Sequence, residues 1–353
     1  MDMASKNTFE KPIGVIGAGS FGLSVANLLA ENSQVLLYAR NKEARESINK
    51  NREWNEYPIH NNITAIDDLE QLASSCDVIF PVVPSANFRD MIKDLSPFLY
   101  PYHILIHGTK GLNLNLPEGK KLEDMEVLER RHIKTMSEVI MDESVVVRIG
   151  CLAGPNLAKE IAQGLPAATV VASPFNEVIQ IGQQLLRSDR FQVYGNPDLI
   201  GIELCGVLKN IIAIASGALS GLGLGENARS LLISRGMVEM IYLGKALGGN
   251  VRTFIGLAGI GDLMATSHST LSRNFTVGRR LAEGEKLEAI LADMREVAEG
   301  VNTIMIAKKI AESFKVRAPI TEILHRVLFE GLTMEEAVQY LMKYPLNVDV
   351  DFI

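Results

Sequence analysis

PIGVIGAGSFGLSVANLLAENSQVLLYAR, Pro12 to Arg40, reads as two strands around one helix. Pro12 to Ile16 is a short apolar run ending at Gly17, an amphipathic pattern follows from Phe21 to Glu31, and Val35 to Tyr38 is a second apolar run. Strand, tight turn, helix and strand in that order open a βαβ unit. The turn, Gly17-Ala18-Gly19-Ser20-Phe21-Gly22, fits G-x-G-x-x-G. Its first glycine permits the sharp turn, the second lets a pyrophosphate approach the backbone, and the third lets helix and strand pack closely. Amides at the helix start then face the phosphates, where the dipole also favours negative charge. The pattern is common by itself; between an apolar strand and a helix it marks a dinucleotide site. A carboxylate at the end of the second strand usually holds the ribose of NAD in such sites. Here the strand ends Leu37-Tyr38-Ala39-Arg40, without an acid. An arginine suits the extra phosphate of NADP, so NADPH is expected over NADH, with NAD still usable if Arg40 merely faces solvent.

Working outward, Asp77 to Val83, His103 to His107 and Val145 to Ala153 read as further strands, mostly with helical stretches between them. This alternation predicts an α/β Rossmann domain: a doubly wound, mostly parallel sheet covered on both faces. The third strand runs into Pro84-Ser85 and the fourth into Gly108-Thr109-Lys110-Gly111, both at the carboxyl edge where open α/β sheets bind ligands. Lys110 is therefore a candidate anion ligand. The charged stretch Leu112 to Asp142 is expected to be an exposed helix on the way to the fifth strand. FQVYGNP, Phe191 to Pro197, looks like a last strand and turn, after which apolar runs lengthen and take helical spacing. The expected division is a dinucleotide-binding domain over 1–195 and an all-α domain over 196–353.

The chain of 353 residues, 47% hydrophobic, can bury a core large enough for two domains. Its formal net charge of −7 argues against a broad nucleic-acid or acidic-membrane surface, while leaving room for a local basic pocket. Cys76, Cys151 and Cys205 stand far apart among apolar neighbours and read as reduced packing thiols, and neither they nor the six histidines show metal-ligand spacing, so no metal is expected. The start, MDMASKNTFEKP, lacks the pattern of a secretory signal, and the longest charge-free stretch is too short and glycine-rich for a bilayer span. A cytoplasmic protein without membrane insertion is expected.

In the second half, Lys209 and Asn210 interrupt an apolar helical run, LIGIELCGVLKNIIAIASGAL, Leu199 to Leu219. One turn away lie Cys205, Gly206, Ile212 and Ala213, none able to neutralise an ammonium, so the charge needs a partner from elsewhere. Asp262 follows the glycine-rich turn Gly259-Ile260-Gly261 and is expected to cap the next helix. Ser272-Arg273-Asn274 sets a guanidinium beside two hydrogen-bonding side chains, a group suited to phosphate. Ala298-Glu299-Gly300-Val301-Asn302-Thr303 reads as a loop capping a helix from Ile304 to Phe314.

With these segments assembled, the chain from about Pro12 to about Phe329 resembles the bacterial NAD(P)-dependent glycerol-3-phosphate dehydrogenases. The resemblance is carried by GVIGAGSFG, GTKGL, AGPNLAKEIAQGLPAA, NPDLIGIELCGVLKNIIAIASG, GIGDLMATSHSTLSRNFTVG, AEGVNT and APITEIL, in that family's order. It implies a Rossmann domain followed by a helical domain with catalysis in the cleft between them, and reversible reduction of dihydroxyacetone phosphate to sn-glycerol 3-phosphate for phospholipid synthesis. It implies cofactor contacts at Ser20, Phe21, Arg40, Lys110, Ala158, Arg273, Val297 and Glu299. It implies substrate contacts at Lys110, Gly154, Asn156, Lys209, Asp262, Ser272, Arg273 and Asn274, with Lys209 as general acid/base. Asn156 stands where the family usually has Ser or Thr, although an amide can donate a similar bond. Asp262 is then expected to orient Lys209, and Arg273, Asn274 and Asn210 to clamp the phosphate.

Two rivals have their own signatures. A β-hydroxyacid dehydrogenase would carry its asparagine four residues after the lysine, where this chain has Ala213. A non-catalytic nucleotide-sensing regulator would need neither a buried lysine nor an arginine clamp. The expected partners are a small phosphorylated substrate and, from the apolar helical half, a second copy in a homodimer.

Overall fold

The computed structural model describes residues 10–294 and 296–344. The chain divides into two compact units, Met1–Asn113 with Thr135–Leu199, and Leu114–Lys134 with Ile200–Ile353. The first unit holds an eight-stranded sheet of β1 (Ile13–Ile16), β2 (Val35–Tyr38), β3 (Ile63–Ile66), β4 (Val78–Pro81), β5 (Ile104–His107), β6 (Arg148–Ala153), β7 (Ala167–Ala172) and β8 (Phe191–Asn196), in the order β8-β7-β6-β5-β4-β1-β2-β3. All neighbours pair in parallel except β6 and β7, so the last two strands run against the rest. The alternation expected of a doubly wound sheet is visible residue by residue. Ile13, Val15, Phe80, Ile104 and Ile106 enter one apolar cluster with helices Ser20–Ala30 and Asn176–Leu186. Ile16, Ile79 and Leu105 enter another, with helices Leu69–Ser75, Phe88–Leu95 and Met136–Glu143. Period-two side chains thus feed both faces, as a fully covered parallel sheet requires.

Four elements differ from the sequence reading. β3 and β7 are additional strands: ITAI is only four residues with a threonine and an alanine at its centre, and AATVVA opens with two alanines, weak strand formers. The sixth strand begins at Arg148, with Val145 and Val147 exposed before it. The charged stretch is not one helix. Only Met136–Glu143 is α-helical, started by a capping box between Thr135 and Glu138, while Leu122–Asp124 and Arg130–His132 are single 3₁₀ turns. Pro117 and Gly119 interrupt any helical period there, and the excursion is held by few groups. Leu128 is buried and its N–H donates to Ser313 Oγ at 2.9 Å, and Arg130 Nε donates to the Leu247 carbonyl at 2.9 Å.

The second unit is built on the helix Leu199–Gly221, whose residues from Gly201 to Ala218 are all buried. The helix is long and apolar enough to cross a membrane, but 94% of its most apolar window is buried, as in the core helix of a globular unit. Backbone meets backbone where it crosses the helix Arg273–Ala282: a Cβ on Gly278 would lie 1.8 Å from the Ile214 carbonyl oxygen, and one on Gly217 2.0 Å from that of Phe275. Only glycine allows this approach, which holds the start of Arg273–Ala282 against the lysine-bearing helix.

A buried carboxylate joins two further helices. Glu239, on Glu226–Ala246, accepts the N–H groups of Ile320 (2.8 Å) and Thr321 (2.9 Å) and the Thr321 hydroxyl, at the first turn of Pro319–Phe329. These three donors favour the anion, but burial outweighs them and pushes the carboxyl up to about 7. A folded pKa above the unfolded one means that the folded state binds the proton more tightly. The stability from this group is therefore complete below about pH 4.5 and is lost as pH rises to about 7. A Glu239→Gln variant should remove roughly 3 kcal/mol of variation across that window. Thermal unfolding followed from pH 4.5 to 8 in both proteins checks it, and parallel curves would contradict the assignment.

Candidate active site

The glycine-rich turn between β1 and the helix Ser20–Ala30 has the shape of a phosphate cradle. Gly17 takes φ +118°, and a Cβ there would stand 2.2 Å from the Val82 carbonyl oxygen, so the turn admits no side chain. A Cβ on Gly22 would lie 2.0 Å from the Gly17 carbonyl oxygen. Around Gly19 there is no heavy atom within 4 Å of that point, and no side chain caps the helix it precedes. Two glycines thus close the turn and the middle one leaves open space beside helix-start amides, which is what a pyrophosphate needs.

The other carboxyl ends surround this turn. Gly108, after β5, abuts the Phe21 ring, 2.9 Å from its ideal Cβ, and Thr109 Oγ1 donates to the Val83 carbonyl at 2.6 Å. Lys110 Nζ donates to the carbonyl of Gly154 at 3.2 Å, and Gly154 takes φ +144°. Asn156 Nδ2 donates to Thr169 Oγ1 at 2.9 Å, whose own hydroxyl is committed to the Ala153 carbonyl at 3.0 Å. One N–H of the Asn156 amide is thereby bonded within the protein. Ala158 is tied to the first helix, since its carbonyl accepts from Ser24 Oγ at 3.1 Å. Arg40 lies exposed at the end of β2, and no ion pair holds its guanidinium among the described residues.

In the second unit, Lys209 and Asp262 meet. The ammonium donates to Asp262 Oδ1 at 2.6 Å and to Thr266 Oγ1, and the Thr266 hydroxyl lies 3.2 Å from the same carboxylate oxygen. Lys209, Asp262 and Thr266 are 5%, 2% and 5% exposed, so the charges are withdrawn from water and answered by each other. A pair with this geometry is what makes burial of an ammonium tolerable. Asp262 is not the helix cap expected of it. It stands in the first turn of Asp262–His268, entered through the π-turn Leu257–Gly261, and its carboxylate is occupied by Lys209 and Thr266. Thr266 is the group that sequence reasoning missed, although four residues after Asp262 it lies on the same helical face.

Ser272 is the cap that Asp262 is not: its Oγ accepts the Phe275 N–H at 3.2 Å at the start of Arg273–Ala282. Arg273 Nη1 pairs with Glu296 Oε2 at 3.0 Å, and Asn274 Oδ1 accepts the Gly300 N–H at 3.0 Å. Asn210 is buried beside them, its carbonyl 3.0 Å from the ideal Cβ of Gly300. The last helix of this group starts at Glu299, five residues before the expected Ile304, and runs to Phe314 with Val297 exposed before it. Cys76, Cys151 and Cys205 are free and buried, and burial pushes the Cys76 thiol up to about 12.

Both halves of the chain match family models. Residues 12–179 match the NAD-dependent glycerol-3-phosphate dehydrogenase N-terminus, and residues 198–339 match its C-terminus. The chain belongs to this family. It is 40% identical over 351 residues to a glycerol-3-phosphate dehydrogenase [NAD(P)+] of Pseudomonas aeruginosa, covering 98% of each chain. A relative of the same name from Saccharophagus degradans is 40% identical over 355 residues, covering 99% of this chain and 94% of that one. The crystal structure of glycerol-3-phosphate dehydrogenase from Coxiella burnetii superposes with a TM-score of 0.83 at 34% identity, over 94% of this chain and 99% of that one.

Proposed function

We propose that this chain reduces dihydroxyacetone phosphate reversibly to sn-glycerol 3-phosphate with NADPH, the first unit serving as dinucleotide domain and the second as catalytic domain. The buried Lys209–Asp262–Thr266 group carries this reading, because a chain of this family needs a proton donor held in a dry site. The cofactor's phosphates would rest on the Gly17–Gly22 turn, with Ser20, Phe21, Lys110, Ala158, Arg273, Val297 and Glu299 as further contacts and Arg40 beside the 2′-phosphate. When bound, it supplies the hydride. Lys209 polarises the ketone and delivers the proton to the oxygen as negative charge develops there, and the neutral amine takes it back in the reverse direction. Asp262 and Thr266 fix the direction of the ammonium. Arg273, Asn210 and the Asn274 NH2 group hold the phosphate, and Lys110 with Gly154, Asn156 and Ser272 line the remainder. A small substrate offers few other handles, so anchoring its phosphate is what holds its carbonyl in register.

The enzyme is proposed to work in the cytoplasm, as a homodimer, feeding phospholipid synthesis. Loss of NADPH absorbance on adding dihydroxyacetone phosphate tests the reaction, and no loss above the blank would refute it. The same assay tests the cofactor choice. With Arg40 in place of an acid, kcat/KM for NADPH should exceed that for NADH by about tenfold or more, and an NADH preference would remove the role given to Arg40.

A further inference from the structure

Two adjacent residues at one helix start are tied to the approach of another. Arg273 reaches Glu296, and Asn274 Oδ1 accepts the Gly300 N–H at 3.0 Å. The first pair is about half exposed, 48% and 37% at the two side chains, and is weak on that ground. The second is buried: Asn274 is 8% exposed, and a Cβ on Gly300 would stand 2.6 Å from Asn274 Oδ1. An N–H can only donate, so the amide of Asn274 must turn its oxygen to Gly300. Its NH2 group is the end left for an acceptor, and a phosphate oxygen only accepts. One side chain therefore has its nitrogen left for an acceptor while its oxygen holds the first turn of Glu299–Phe314.

We propose that Asn274 is a positioning residue that links the phosphate of the substrate to residues 297–300, so that substrate and dinucleotide each tighten the binding of the other. The proposal rests on the reading above, in which Asn274 binds phosphate and Val297 and Glu299 touch the cofactor. An anion on the NH2 group pins the amide, the pinned oxygen holds the Gly300 N–H, and the segment approaching the cofactor is ordered before the cofactor arrives. By linkage the effect is reciprocal. Drawing Arg273 away from Glu296 works against this, but the exposed pair is the weaker of the two ties.

The test is a fluorescence titration of NADPH into the full chain, with and without saturating sn-glycerol 3-phosphate, which cannot react with the reduced cofactor. In the wild type the glycerol phosphate should tighten NADPH about tenfold. In Asn274→Asp an oxygen remains for Gly300 while the donor is lost, so NADPH alone should bind as in the wild type and the tightening should vanish. Asn274→Ala should lose both. Equal tightening in wild type and Asn274→Asp overturns the linkage, as does a wild type that binds glycerol phosphate without any change in NADPH affinity. If the affinity for glycerol phosphate itself is unchanged in Asn274→Asp, the phosphate reading of Asn274 falls instead, and the linkage with it.

Discussion

Replacing Lys209 by methionine is expected to lower kcat on the order of 10³-fold while NADPH affinity changes by less than about twofold. The side chain is 5% exposed on a helix buried throughout from Gly201 to Ala218, so methionine fits the space and removes the charge. The alkoxide that forms on hydride addition would then lack its donor. The cofactor cradle is built from Gly17–Gly22 in the other unit, which is why its affinity should persist. Steady-state rates and a direct NADPH titration separate the two effects. Turnover near that of the wild type would take Lys209 out of the chemistry.

The second large effect is expected at Asp262. In Asp262→Ala the ammonium keeps its burial and loses the carboxylate at 2.6 Å, and breaking a buried pair in this way destabilises by about 3–5 kcal/mol. For a unit of this size that is a fall in Tm on the order of 10 °C. Activity should fall as well, because the carboxylate that orients Lys209 Nζ is lost. The combination Lys209→Met with Asp262→Leu distinguishes the two consequences. Removing both charges should restore most of the stability and none of the activity. A double variant as unstable as Asp262→Ala would show that packing, and not the stranded charge, carries the effect.

What the sequence disclosed follows from how local each feature is. The Gly17–Gly22 turn is determined by neighbours within one βαβ unit, and its geometry could be read from six residues. Lys209 announced itself because its helical neighbours cannot neutralise it, yet the identity of its partners depends on contacts 53 and 57 residues away in the chain. Asp262 looked like a cap because aspartate after a glycine-rich turn usually is one; the π-turn carries it one position into the helix, where its carboxylate turns to Lys209 and Thr266. Ser272, one helix further on, caps Arg273–Ala282. Asn156 was read as a substrate donor, and the bond that one of its N–H groups makes to Thr169 was not foreseen, because the strand AATVVA went unrecognised. The charged stretch was read as one helix from its composition, whereas Pro117 and Gly119 interrupt it and only Met136–Glu143 is α-helical, with Leu128 and Ile133 buried ahead of it. At Asp262 a tertiary partner overrode a local preference.

The central claim is that Lys209 supplies the proton in the same step that takes up the hydride. Single-turnover oxidation of bound NADPH, followed after rapid mixing with saturating dihydroxyacetone phosphate, isolates that step from product release. Wild type should oxidise one equivalent quickly, and Lys209→Met, equally loaded with NADPH, should do so on the order of 10³-fold more slowly. Equal single-turnover rates in the two proteins would contradict the account.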